Sequence, residues 1–388
     1  MGLLQALNHF KRPFFYLAVI VVFLFCPGLY AKEPIKIRVA VIRDKQEVEF
    51  SVTGPYDIVD IRKNKVLSSH KDSASFSVAG VKEGLKAGDM AYATDAILID
   101  AKKKIAVAVG KRRYRGDIAV FKDEAGKLCV VNTLDVEPYI KGVLYHEISH
   151  KWPMDAIKAQ AVAVRTYAMY QKEVMKNKNY DVAADTSSQV YGGYFAETNK
   201  TNRAVNFTDG EVLLYRNKIF PAYFHATCGG ITENAAELWK IDIGPLSGGR
   251  VCGFCSGSPH YFWRTRIGLE SIKEKLGARY TLKGALADIR VTERNPSGRV
   301  RFLELKDSLE NKLMISAKDL RSLLGPDILR STNFSIILEG DSVVFAGKGW
   351  GHGAGLCQWG AFGMSKKGSS YKQILEFYYP GAVITKIK

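Results

Sequence analysis

The sequence predicts an α+β fold, a β-rich amino-terminal region joined to a mixed α/β region with a cleft between them. Three observations predict it: short alternating segments between Ile35 and about Val131, an alanine-rich amphipathic run opening at Pro153, and renewed strand-like alternation after Asn295. Taking the elements in order, residues 37–42, 48–52, 96–99 and 118–121 are rich in β-branched and aromatic side chains and read as strands. Thr53-Gly54-Pro55 and Glu124-Ala125-Gly126 are the turn signals between them. Pro153 suits a first helical turn, where its missing N–H would be unpaired anyway, and Ile157, Ala161, Val164 and Ala168 then recur on one face. Asn295-Pro296-Ser297-Gly298 is a turn into an alternating strand over 300–305, and residues 318–324 are a short helix candidate.

The amino terminus reads as an export signal. Lys11 and Arg12 precede the apolar run 14–26, and Leu29-Tyr30-Ala31 ends in a small residue before Lys32, so cleavage is expected after Ala31. The run falls short of the roughly 20 residues of a comfortable membrane span, and an uncleaved anchor is the alternative. Phe23-Leu24-Phe25 are too bulky for lipidation at Cys26. The expected location is therefore periplasmic or cell-envelope. With 47% hydrophobic and 24% charged residues the chain can bury a full core. The formal charge of +17 falls to +15 without Lys11 and Arg12, and in an exported protein it favours cell-wall polymers or anionic lipid over nucleic acid.

The chemistry centres on Glu147. Val143, Leu144, Tyr145 and Ile148 surround it with apolar side chains, which disfavour a charged carboxylate. Such an acid keeps a proton near neutral pH, as needed to protonate a leaving glycosidic oxygen. Arg165 lies on a stripe with Lys158, Val162 and Met169 in the helix that begins just after Glu147, so the acid and this cation are expected to share a cleft.

Three further constellations carry candidate chemistry. In the loop 185–193, Asp185, Ser188, Gln189 and Tyr191 surround a Gly-permitted turn with hydrogen-bonding groups of the kind that hold sugars; a plain Asx or Ser/Thr turn is the competing reading. Cys252-Gly253-Phe254-Cys255 gives two thiolates the bite that tetrahedral zinc needs. Cys228 is the expected third ligand and His260 the fourth, with His225 as its alternative; a disulfide is the rival. Such a closed zinc site would be structural. Cys129 and Cys357 read as buried free thiols. Finally, glycines at alternate positions over 347–361 are expected to present Trp350, His352 and Gln358 to pyranose rings. Gly349 to Ala354 fits a dinucleotide fingerprint by spacing alone, but the chain beyond is too short for a nucleotide-binding half-domain.

Taken together, residues 139–147, 156–167, 185–192, 225–239, 347–360 and 368–381 resemble, in order, the stage II sporulation protein D family, which includes amidase enhancers of bacterial cell walls. The resemblance implies a lytic transglycosylase acting on peptidoglycan glycan strands, preferably strands stripped of stem peptides by an amidase. It also implies that Glu147 is the catalytic acid and that Arg165 is needed near it. Glu147 would protonate the glycosidic oxygen and then, as carboxylate, accept the C6 hydroxyl proton of N-acetylmuramic acid while a 1,6-anhydro ring closes. A hydrolase would need a second carboxylate, for which Asp185 is the nominee. The alternative within the family is a non-catalytic partner of a cell-wall amidase. The segments around Glu147 depart from many family members, with Tyr145-His146 before it and Ile148-Ser149-His150 after it, and zinc does not follow from membership. The expected organisation is a signal peptide over 1–31, a β-rich region over 32–135 and a family-like region over 136–388. That last region contains the Cys/His knuckle (225–260) and the Gly/Trp segment (347–361).

Overall fold

A computed structural model describes residues 34–103, 105–185 and 188–387. The expected signal segment lies outside the described residues, and among these no helix is long and apolar enough to cross a membrane.

Residues from Lys36 to Asp135 form strands that pair almost entirely as antiparallel neighbours in two sheets. The larger runs in the order Val182–Ala183, Lys36–Lys45, Leu128–Asp135, Asp117–Lys122, Ala96–Ala101, Tyr56–Asp60, Lys65–His70. The other contains Glu47–Val52 between Ala74–Val81 and Val107–Val109. Alternate residues of both sheets, including Ile37, Phe50, Val78, Ile97, Ile118 and Val130, enter one core. Each such side chain taken fully out of water contributes about 1.5–3 kcal/mol. The fold is α+β as expected, with more strands than the sequence reading drew. Lys65–His70 is an edge strand with no fully buried residue, so it carries little period-2 signal.

The core strand Leu128–Asp135 runs directly into helix Val136–Glu147, and Pro153 then caps helix Met154–Val174. This second helix is the hub of the mixed region. It packs against helices Val136–Glu147, Asn199–Phe207, Gln358–Lys366 and Tyr371–Tyr378 and against strand Glu211–Tyr215. Ile157, Ala161, Val164 and Ala168 are buried as predicted, and so are Ala159, Val162, Ala163 and Arg165, because neighbours cover it on nearly every side. Strand Val182–Ala183 adds in parallel to Lys36–Lys45, and buried Asp181 accepts from the Arg38 backbone N–H at 2.8 Å and from its Nε at 3.0 Å. These contacts fix where the loop after Ala183 begins.

Residues 262–345 bring a second hydrophobic cluster, in which Trp263, Leu269, Leu303, Leu320 and Phe345 are buried among helices Leu269–Leu276 and Ala317–Leu324 and two three-stranded sheets. The chain returns through a two-residue parallel pairing, Phe224 with Leu356 and His225 with Cys357.

Candidate active site

Helix Val136–Glu147 buries Val136, Tyr139, Ile140, Val143 and Leu144, one face at helical spacing. Packing that face fixes the helix and holds its last residue, Glu147, at the carboxyl terminus, where unpaired carbonyls concentrate partial negative charge. Its Oε1 accepts from the Val190 backbone N–H at 3.1 Å. Burial pushes the Glu147 pKa up to about 7, and the Val190 N–H opposes that shift. Among the described residues no cation offsets the burial of this carboxyl.

The Val190 N–H is aimed by its neighbours. Gln189 donates from Nε2 to the Val164 carbonyl at 3.2 Å and accepts at Oε1 from the Tyr139 hydroxyl at 2.9 Å, clamping the loop to both helices. Tyr191 donates its hydroxyl to Asn132 Oδ1 at 3.1 Å and packs where a Cβ on Gly142 would sit 2.4 Å from its ring. Gln189 and Tyr191 are each 1% exposed, which corrects their expected role: they position the loop and cannot touch a sugar. Gly192 lets His146 approach, since a Cβ there would lie 2.1 Å from His146 Nε2. From the far end of the sequence, Gln358 Nε2 donates to the Glu147 carbonyl at 2.8 Å.

The expected pairing of Glu147 with Arg165 does not form. Arg165 is fully buried, with Nε and Nη2 each 2.7 Å from Glu137 and Nη1 2.9 Å from the Glu211 carbonyl. The helix containing Arg165 begins near Glu147, but Arg165 is three turns along it. Its partner Glu137 is ten residues before Glu147 on the neighbouring helix, about 15 Å at 1.5 Å per residue. Arg165 is a structural staple. Asp185 is exposed and accepts from Arg43 Nη2 at 2.6 Å, and Ser188 lies beside Tyr167.

Trp350 and His352 make their contacts elsewhere. The Trp350 indole meets His260 edge-on at 4.4 Å and carries the Arg330 guanidinium 5.0 Å from its ring centroid. His352 Nδ1 accepts from the Ala354 N–H at 3.1 Å, and burial, reinforced by Arg321, pushes its pKa down to about 3, so it is neutral. Its ring contacts Tyr223, His225 and Trp239, and Tyr223 in turn meets Tyr167 at 5.9 Å. Tyr167, Tyr223 and Trp239 therefore form an aromatic wall between His352 and the Ser188 loop. The sequence reading missed this wall, and the aromatics placed inside its family-like segments 156–167 and 225–239 were its available signal.

The thiol cluster also corrects the sequence reading. Sγ atoms of Cys228, Cys252, Cys255 and Cys357 all lie within 4.8 Å of one another, buried, with Cys228 and Cys255 3.5 Å apart. That is too far for a covalent S–S bond of about 2 Å. It is close to the roughly 3.8 Å edge of a tetrahedron with Zn–S bonds of about 2.3 Å. His260 and His225 are not in the cluster; His225 Nδ1 is 3.1 Å from the Ala354 carbonyl. Cys357 replaces them because the parallel pairing with Phe224–His225 brings it to Cys228. Its sulfur accepts from the Cys228 N–H at 3.2 Å and the Gly360 N–H at 3.3 Å, and Cys252 is 3.1 Å from the Tyr378 hydroxyl. Fully buried Arg299 donates to the Cys228 carbonyl at 2.6 Å, placing a cation beside the four sulfurs. Such donors and charge suit a tetrathiolate metal site. Among the described residues Cys129 is a free thiol, as expected, but half-buried and not buried.

Comparison with known proteins bears on what this assembly is. A family profile described as Stage II sporulation protein matches residues 124–215, the segment that holds Glu147, Arg165 and the 185–193 loop. The Stage II sporulation protein D of Bacillus amyloliquefaciens is 30% identical over 271 residues, 66% of this chain and 76% of that protein. This chain belongs to the stage II sporulation protein D family. Another relative, an uncharacterized protein of Brachyspira hyodysenteriae, is 32% identical over 90% of this chain and 92% of its own length. The amidase enhancer of Bacillus subtilis is 27% identical over 63% of this chain but only 40% of its own length. Residues 254–355, most of them in the second hydrophobic unit of this family member, match a domain of unknown function.

Proposed function

We propose that the protein is a peptidoglycan lytic transglycosylase that cleaves the β-1,4 bond between N-acetylmuramic acid and N-acetylglucosamine, preferably in strands freed of stem peptides. The observation that carries the reading is Glu147: a half-buried acid, protonated up to about pH 7, held by one backbone N–H and, among the described residues, set against no cation. In the first half-reaction the Glu147 proton moves to the glycosidic oxygen as the C1–O bond breaks. In the second the Glu147 carboxylate takes the C6 hydroxyl proton while O6 bonds to C1. The acid is regenerated and no water is consumed. One acid serves both steps, which agrees with Asp185 facing Arg43. Gln358 and the Val190 N–H orient the acid without entering the chemistry.

A zinc ion would be held by Cys228, Cys252, Cys255 and Cys357 and would supply rigidity, fixing the start of helix Gln358–Lys366 and hence the Gln358 amide. Export to the cell envelope, after a cleaved or anchoring amino terminus, would place the enzyme with its glycan and with the amidase that prepares it. The relative named amidase enhancer favours a second reading, stimulation of such an amidase. Incubating the protein and its Glu147→Gln variant with peptide-free and peptide-bearing strands separates the two. Anhydro-ended fragments that disappear in the variant support the enzyme; no fragments from either substrate, with amidase stimulation kept in the variant, support the enhancer.

A further inference from the structure

Away from Glu147, a cavity of about 890 Å³ lies over the sheet formed by Phe262–Gly268, Ser342–Lys348 and Phe334–Glu339, within the stretch matched to a domain of unknown function. Its lining holds three cations, Arg264, Arg294 and Lys348, and no acid. Antiparallel pairing sets Phe262 opposite Lys348 and Arg264 opposite Ala346, so these side chains share the outward face, where Phe262 is 68% exposed. Behind them Trp263 is 6% exposed and its buried Nε1–H lacks a partner among the described residues. The indole edge abuts Gly347, where a Cβ would lie 2.4 Å from Trp263 Cε2, so the glycine lets the indole pack flat against the strand. An exposed aromatic ring beside Lys348, Arg294 and Arg264, the last of which meets Glu339 at 3.5 Å, makes a receptor for a sugar that carries an anion.

Residues Gly347 and Lys348 line this groove, and ten residues after Lys348 the same segment delivers Gln358 to the Glu147 carbonyl. We propose that the groove binds the free lactyl carboxylates of peptide-free muramyl glycan, holding the strand that Glu147 cuts. This inference rests on the transglycosylase reading and gives its peptide-free preference a physical source. A free carboxylate pairs with Arg264 and Lys348, whereas an amide-linked stem peptide removes that charge and adds bulk.

The test measures binding of peptide-free glycan strands to the full protein and to an Arg264→Glu/Lys348→Glu variant, both also carrying Glu147→Gln so that the ligand stays intact. The same strands with carbodiimide-amidated carboxylates, and inorganic polyphosphate, are the comparison probes. The expected result is at least tenfold weaker binding by the charge-reversed variant and, for the unreversed protein, a similar loss with amidated strands. In a Glu147 background the reversal raises KM and leaves kcat within about twofold. Equal binding of native and amidated strands overturns the proposal, as does polyphosphate binding in place of glycan. Groove-dependent binding without cleavage by any form would refute the Glu147 reading alone; anhydro products with binding indifferent to the reversal would refute the groove alone.

Discussion

Arg165→Met separates a structural arginine from a catalytic one. The substitution removes two 2.7 Å hydrogen bonds to Glu137 and one of 2.9 Å to the Glu211 carbonyl, and it leaves Glu137, whose side chain is 21% exposed, without its cation. Breaking a buried pair from one side costs about 3–5 kcal/mol. For about 350 residues unfolding together at about 2.1 cal/mol/K each, the entropy is about 0.7 kcal/mol/K, so Tm should drop by about 4–7 °C. Because the Arg165 guanidinium is bound by Glu137 and the Glu211 carbonyl and not by Glu147, kcat measured well below the lower Tm should fall less than about threefold. Glu137→Gln combined with Arg165→Met should lose less stability than the sum of the single variants. Thermal unfolding and initial rates of strand cleavage on the same preparations decide the matter. A Tm within 1 °C of the parent combined with a hundredfold loss of kcat would show that Arg165 acts in the reaction and that the separation argued here is wrong.

The acid yields predictions of the same sign for activity and stability as pH rises. Its raised pKa means that kcat/KM should fall as pH rises through about 7, which a pH–rate profile reads directly. Because the folded carboxyl holds its proton more tightly than the unfolded one, its contribution to stability is complete below about pH 4.5 and lost as pH rises through about 7. Glu147→Gln should thus stabilise the protein at pH 8, by at most about 3.4 kcal/mol, and leave it unchanged near pH 4; denaturant unfolding at the two pH values measures this. Elemental analysis should find one zinc per chain in the parent and in His260→Ala but none in Cys357→Ser, whose Tm should also become insensitive to chelator. Gln358→Ala should lower kcat about tenfold at nearly constant KM, since it frees the Glu147 carbonyl and leaves the groove untouched.

What the sequence made legible follows from the range of the interactions. The core strands at 37–42 and 96–99 and the face of helix Met154–Val174 announce themselves through local periodicity, and Glu147 stood out through its immediate apolar neighbours. Helix Val136–Glu147 has the apolar spacing 136, 139, 140, 143, 144, of which the sequence reading uses only Val143 and Leu144, as flanks of an acid. Contacts set by tertiary pairing were not legible. Cys357 reaches Cys228 across 129 residues, and it does so through a two-residue parallel bridge that leaves no periodic trace. The helix of Arg165 starts near Glu147, but Arg165 itself lies three turns along it, where Glu137 binds its guanidinium. Gln189 and Tyr191 look like sugar-binding groups in a loop, yet long-range partners on residues 132, 139 and 164 bury them. The groove at Phe262 and Lys348 needed two strands from opposite ends of a domain and could not be seen in either alone.

The central claim is that Glu147 breaks the glycosidic bond without water. Digesting peptide-free strands in oxygen-18 water and weighing the new muramyl ends by mass spectrometry tests it most directly. The account predicts anhydro ends carrying no oxygen-18, formed by the parent and not by Glu147→Gln; reducing ends carrying one oxygen-18 would contradict it and require a second carboxylate.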